Sequence, residues 1–164
     1  MKTSLYQASF DEMPIVLNMA KLYRYDLSEF MEWSVEPDGM YYCYELETYW
    51  ENQNYPFIIR VNNELAGFAL VSRSSDKIKA SYTIGEFFVL RKFRKFGVGR
   101  KVALDIFNKF KGEWEVKQLI NNKPAIIFWE KLISNYTNKM HTIHNVQDSQ
   151  YGNINVIKFS NIEQ

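Results

Sequence analysis

The chain is poor in the residues that staple or metallate small proteins. Its one cysteine, Cys43, permits no intramolecular disulfide, which agrees with a reducing compartment and leads us to expect a cytoplasmic protein. Flanked by Tyr42 and Tyr44, it reads as a small buried apolar residue. The two histidines, His141 and His144, lie three apart on a segment read as strand, so they point to opposite faces and make no metal pair. No metal is expected. No apolar run approaches the ~20 residues that span a bilayer, and no positive-then-apolar leader opens the chain. No membrane association follows from this pattern. A net charge of +1 gives no reason to expect nucleic acid. Repeats, linkers and low-complexity stretches are also missing.

What is present suits one folded domain over residues 1–164. That length buries most of the surface its unfolded chain exposes. The aromatic share of 16% is high and fits either a packed core or an aromatic-lined cleft. Charge is segregated along the chain. Residues 1–56 hold 3 Lys/Arg against 10 Asp/Glu, and the remainder holds 17 against 9, so a cationic region follows an acidic one.

Local patterns predict the elements. Residues 4–8 read as a short strand. Ser9-Phe10-Asp11-Glu12 is a capping-box pattern, with Pro14 in the first turn of a helix over 11–25. Its apolar stripe is Ile15, Val16, Met19, Leu22 and Tyr23. Residues 26–33 read as loop or short helix, Pro37-Asp38-Gly39 as a turn, and 46–50 as helical. Strands over 56–61 and 65–71 flank the compact turn Asn62-Asn63-Glu64. A turn at Ser74-Ser75-Asp76 precedes a strand over 80–90. A helix from Val98 to Phe110 stops at Gly112, a strand covers 114–120, and Asn122 caps a helix running to Tyr136 with Pro124 in its first turn. Strands over 142–147 and 153–159 close the chain, the latter offering an edge for pairing between subunits. Strands in a run, followed by alternating strands and helices, describe an α+β fold.

Residues 85–110 organise the rest. Phe87, Phe88, Val89 and Leu90 form a buried strand, and Val98, Val102, Ala103, Ile106, Phe107 and Phe110 form the apolar face of a helix. Between them lies Arg94-Lys95-Phe96-Gly97-Val98-Gly99. The first amides of a helix lack intrahelical acceptors and sit at the positive end of its dipole. Gly97 and Gly99 have no Cβ to keep a bulky anion away, and Arg94 and Lys95 add positive charge. The physical reading is a pyrophosphate cradle. A P-loop is excluded because Gly99 is followed by Arg100-Lys101 rather than Lys-Ser/Thr. A dinucleotide fingerprint wants a small residue where Val102 stands.

This strand–loop–helix resembles the acyl-CoA site of the GNAT N-acetyltransferase superfamily, whose loop reads Arg/Gln-x-x-Gly-x-Gly/Ala. Asn122-Lys123-Pro124-Ala125-Ile126-Ile127-Phe128-Trp129, about 28 residues after Arg94, is similar to the family's second signature, Asn-x-x-Ala-x-x-Phe/Leu-Tyr. The resemblance implies a GNAT-type fold, a mixed and mostly antiparallel central sheet flanked by helices. It implies acetyl-CoA as the acyl donor and direct transfer of acetyl to a primary amine. The thioester would hydrogen-bond to backbone at Phe87, Phe88 and Val89, beside which the central strands would splay. The pyrophosphate would rest on amides of Lys95, Phe96, Gly97, Val98, Gly99 and Arg100, with Arg94 opening the loop. Asn122 would touch the cofactor as well as cap its helix.

By the same resemblance Glu86 is the candidate base, because the attacking amine must be neutral and a carboxylate can take its proton. The family's usual tyrosine acid is replaced by Trp129, whose indole N–H donates a hydrogen bond without being a practical proton source. Trp129 is left as a packing contact for the pantetheine arm. Tyr136 is a substitute acid, seven residues and roughly 10 Å farther along the helix. This departure leaves a second class open, an acyl-CoA-binding sensor or scaffold that transfers nothing. Asp26, Glu29, Glu32, Glu36, Tyr41, Tyr42 and Tyr44 fall where the family builds its acceptor cleft, and carboxylates with aromatic faces favour cations. A cationic small-molecule or lysine amine is the expected acceptor, and a homodimer is compatible. Replacement of Gly97 by Val is expected to abolish acetyl-CoA binding in a calorimetric titration, and unchanged affinity would refute the loop assignment.

Overall fold

The computed structural model describes residues 1–42, 45–51, 53–73 and 81–162. Cys43, Tyr44 and the turn expected at Ser74-Ser75-Asp76 lie outside the described residues. Seven strands form a mixed sheet: β1 (Thr3–Gln7), β2 (Tyr55–Val61), β3 (Glu64–Arg73), β4 (Ser81–Val89), β5 (Glu113–Leu119), β6 (Thr142–Asp148) and β7 (Gly152–Ser160). Their order is β1-β2-β3-β4-β5-β7-β6. The ladders β1–β2, β2–β3, β5–β7 and β6–β7 are antiparallel, whereas β4–β5 is parallel. Three α-helices join them: α1 (Met13–Leu27), α2 (Val98–Lys109) and α3 (Lys123–Tyr136). This is the mixed α+β architecture expected of the sequence.

Two compact units divide the chain, Met1–Val71 with Glu86–Gly99, and Ser72–Gly85 with Arg100–Gln164. In the first, Val16, Met19 and Ala20 of α1 pack on Ile58, Phe68, Leu70 and Phe88. Fully burying side chains of this size contributes about 1.5–3 kcal/mol each. Helix α1 starts after a 3₁₀ turn, Phe10–Glu12, where the Glu12 carboxylate accepts from Ser9 N at 3.0 Å and from the Tyr6 hydroxyl at 3.0 Å. The helix continues through Leu27, past the loop expected from residue 26 onward. Asn62 and Asn63, at φ 50° and 69°, make the two-residue turn between β2 and β3, the left-handed pair a type I′ hairpin demands.

Aromatic side chains dominate the core of the second unit. Phe107 lies 4.9 Å from Trp114 and 4.9 Å from Phe159, ring centre to ring centre, and Tyr82 stacks on Trp114 at 5.2 Å. Helix α2 ends at Lys109, and Gly112 is not its left-handed terminator. Asn161 does that work from the far end of the chain. Its amide donates to Phe107 O at 2.7 Å and Phe110 O at 3.1 Å, and its Oδ1 accepts from Gly112 N at 2.8 Å. Strand β7 lies between β5 and β6, so it is internal rather than the free edge expected, and β6 is the terminal strand.

One glycine determines how β3 and the end of β4 meet. A Cβ on Gly67 would lie 2.0 Å from Phe88 O and 3.0 Å from Val89 Cα. Leu90 N donates to Ala66 O at 2.8 Å beside it. Gly67→Ala is therefore expected to destabilise the protein by about 1–3 kcal/mol through overpacking against backbone. An unchanged midpoint of urea unfolding would contradict this account of the contact.

Candidate active site

In the first unit the loop after β4 carries two left-handed residues. Lys95 and Gly97 have φ of 67° and 79°, with Phe96 between them outside the positive-φ region. Alternating handedness turns successive amides toward one side, the geometry of an anion-binding nest. Val98 then begins α2, whose first-turn amides have no intrahelical acceptor. Gly97 is required by its conformation and not by its neighbours, because a Cβ there would meet nothing within 4 Å. Lys95, Phe96 and Gly97 are exposed, Phe96 to 63%. The space over Gly97 is open to solvent.

The cations around this loop are largely matched. Asp26, at the end of α1, accepts from Arg91 Nε at 3.1 Å and Nη2 at 2.8 Å, and it pairs with Arg94 Nη2 through its other oxygen. Arg94 Nε donates to Val89 O at 2.7 Å, and its guanidinium lies 5.6 Å from the Phe88 ring centre. Lys92 pairs with Glu64. Arg94 thus does not lend its charge freely to the loop, contrary to the expectation that it adds to the field there. Asp26 does not line an acceptor surface with an unpaired carboxylate. Lys95 and, in the first turn of α2, Arg100 carry no ion pair among the described residues.

Side chains alternate along β4, so Glu86 and Phe88 share one face and Phe87 and Val89 the other. Phe88 packs against Tyr23 of α1 at 5.5 Å and Phe68 of β3 at 5.8 Å. Glu86 is half-buried on that face and accepts a hydrogen bond from Tyr23. Burial pushes its carboxyl pKa up, and the Tyr23 hydrogen bond and the charge of Arg24 offset only part of that rise. Arg24 is itself drawn over the Trp33 ring, 4.4 Å from its centre. Tyr23 was read in the sequence as apolar stripe, and no local signal distinguishes it. Asp26 falls three residues later, hence on the same side of the helix.

The α3 residues belong to the second unit. Asn122 Oδ1 accepts from Ala125 N at 3.1 Å, the expected cap. Trp129 is 5% exposed and packs 6.3 Å from Phe107. The Tyr136 hydroxyl donates to Asn108 Oδ1 at 3.1 Å and accepts from Asn161 Nδ2 at 3.3 Å, so it is tied into the α2–α3 framework. The parallel β4–β5 ladder runs from Ser81↔Glu113 to Ile84↔Val116. Among the described residues no cluster of His, Cys, Asp and Glu can hold a metal, and no helix is long and apolar enough to cross a membrane.

The family model described as the acetyltransferase (GNAT) family matches residues 19–133, more than half of the chain. The chain belongs to the GNAT acetyltransferase family. The matched stretch holds Tyr23, Asp26, Glu86, the glycine loop and Asn122. No curated protein matches this GNAT chain. Solved structures share its fold at low identity. A GNAT-family acetyltransferase from Streptococcus agalactiae superposes with a TM-score of 0.70 at 12% identity, covering 98% of this chain and 96% of that one. Arabidopsis thaliana Naa50, in complex with the bisubstrate analogue CoA-Ac-MVNAL, gives 0.61 at 16%, covering 98% and 99%. A Bacillus subtilis acetyltransferase in complex with CoA gives 0.56 at 13%, covering 98% and 99%.

The raised pKa of Glu86 has a definite consequence for stability. The folded state holds that proton more tightly than the unfolded chain does. Its contribution is therefore full below the ordinary carboxylate range and is lost as pH rises through the folded-state value. Asp26 has the opposite sign. Burial raises its pKa, the Arg94 and Arg91 hydrogen bonds more than cancel that rise, and its contribution is lost as pH falls through the lowered value. Glu86→Gln is expected to raise stability at neutral pH and to flatten the decline above the carboxylate range. Urea midpoints from pH 4 to 8 test this, and a variant less stable than wild type throughout would refute it.

Proposed function

We propose that this protein transfers acetyl from acetyl-CoA directly to a primary amine, with Glu86 as the base. The observation that carries the reading is a half-buried carboxylate of raised pKa at the end of β4, eight residues before the nest loop that opens α2. Family membership supports the donor, as do the structural neighbours whose complexes contain CoA or a CoA analogue. The open space above Gly97 and the left-handed turns at Lys95 and Gly97 fit a pyrophosphate held by backbone amides.

Acetyl-CoA brings a thioester carbonyl for the amine to attack and a thiolate that leaves. As the C–N bond forms and the C–S bond breaks, Glu86, directly or through water, takes the proton the amine gives up. Its raised pKa suits it to hold a proton nearer to neutral pH than an ordinary carboxylate would. The Tyr23 hydroxyl orients the carboxylate by donating to it. Backbone at Phe87, Phe88 and Val89 receives the acyl arm, and amides from Lys95 to Arg100 receive the pyrophosphate. Tyr136 serves as acid only if it gives up its bonds to Asn108 and Asn161.

The acceptor we favour is a cationic amine. Glu29, Glu32 and Glu36 follow the end of α1 and are exposed, and the rings of Tyr25 and Tyr41 lie 6.4 Å apart, centre to centre. Such groups favour ammonium over carboxylate.

Thermal unfolding with acetyl-CoA, with NADH and ATP as controls, tests the donor. Saturation at about 100-fold over the dissociation constant adds about 2.7 kcal/mol, a rise of about 5–10 °C. Release of free CoA against a panel of polyamines, aminoglycosides and lysine peptides then tests the transfer, and Glu86→Gln should slow it by about 10²–10⁴-fold. A shift without turnover would make the protein an acyl-CoA binder. Faster turnover of acceptors carrying an anionic group beside the amine would overturn the cationic acceptor.

A further inference from the structure

We infer that Asp26 is a positioning residue for the phosphate loop, holding residues 89–94 closed so that the following amides are preset for the pyrophosphate. The inference rests on the reading of residues 95–99 as the cofactor cradle. Arg94, the first residue of the loop, has its guanidinium committed in three directions. Nε donates to Val89 O at 2.7 Å, Nη2 pairs with Asp26, and the plane lies 5.6 Å from the Phe88 ring centre. Asp26 also takes Arg91, at 2.8 Å, from the 3₁₀ turn Arg91–Phe93 inside the same segment. The Asp26 side chain is 16% exposed, so these bonds form where water competes poorly.

The closed segment has something to hold. Lys95, the next residue, sits at φ 67°, which a side chain with a Cβ adopts only at a cost. With Asp26 in place, Arg94 spans from the end of α1 to the last carbonyl of β4, and the chain enters the left-handed turn from a fixed start. Without Asp26, Arg94 keeps the carbonyl and the Phe88 ring but loses its tie to α1, and the loop samples other conformations. Apparent affinity then falls by the fraction of molecules whose loop is preset.

Two physical effects predict opposite signs for Asp26→Asn. If Asp26 merely neutralises Arg91 and Arg94, removing its charge frees two cations and tightens binding of a polyanion. If it positions the loop, binding weakens.

The test is calorimetric titration with acetyl-CoA and with acetyl-pantetheine, which lacks the pyrophosphate, using the full chain. Asp26→Asn is expected to weaken acetyl-CoA about tenfold, the loss when one molecule in ten is preset, and to leave acetyl-pantetheine unchanged. Asp26→Glu should retain most of the affinity. Tighter or unchanged acetyl-CoA binding overturns the inference, and so does equal weakening of both ligands, which marks general damage. Wild-type protein that binds no acetyl-CoA overturns the cofactor reading and the inference with it. Wild-type binding with an unaffected Asp26→Asn variant overturns the inference alone.

Discussion

The last residues of β4 occupy the space that a side chain on Gly67 would fill. Phe88 O lies 2.0 Å from where that Cβ would be, and Leu90 N reaches Ala66 O at 2.8 Å just beyond. Glycine inside a strand usually weakens it, and here the loss is exchanged for close backbone approach. Beyond the end of the strand Arg91, Lys92 and Arg94 each have a partner. Val89 O accepts from Arg94, whose charge is met by Asp26. Shift the end of β4 by a fraction of an ångström, and Arg94 no longer spans both partners.

Charge around the loop is arranged to be largely internal. Arg91, Arg94 and Lys92 each have a carboxylate, which leaves Lys95 and Arg100 as the cations at the loop without an ion pair among the described residues. Amide recognition is geometric. It is strong only where the dihedrals are right, and the two left-handed residues of this loop follow directly on the segment whose arginines pair with Asp26. One helix carries both supports. Tyr23 reaches Glu86 and Asp26 reaches Arg94, one turn apart on α1. The glycine loop and the proposed base are thus held from the same side of the same element.

The loop, the Asn62-Asn63 turn and the Asn122 cap were legible in the sequence because each rests on residues within a few positions of one another. Glycine, helical periodicity and a capping amide are local signals. Asp26 pairs with residues 65 and 68 positions away, and its acidic neighbourhood suggested an acceptor surface instead. Asn161 ends α2 from more than 50 positions away, displacing the role that Gly112 held by spacing alone. Tyr23 fitted an apolar stripe so well that its hydroxyl drew no notice. Gly67 lies unremarked in the strand read over 65–71, although a glycine within a strand pattern is itself a signal of close approach. For Trp129 and Tyr136 the resemblance supplied positions in a motif, while their packing against Phe107 depends on tertiary contacts.

The balance at Glu86 is set by what Arg24 does not do. A guanidinium in a bidentate pair with a carboxylate holds its pKa low and makes it a poor acceptor of protons near neutrality. Arg24 acts on Glu86 through its charge, while its plane is drawn to Trp33 at 4.4 Å. The Tyr23 hydroxyl supplies orientation and less neutralisation than a cation would. The net shift therefore stays upward, at a cost in stability above the carboxylate range. A carboxylate retained for structure alone would be better served by a full ion pair, such as the one Asp26 makes two residues along the same helix from Arg24. The contrast between the two carboxylates, one matched by two arginines and one left short of a full partner, is what a chain would show if the first holds a loop and the second moves a proton.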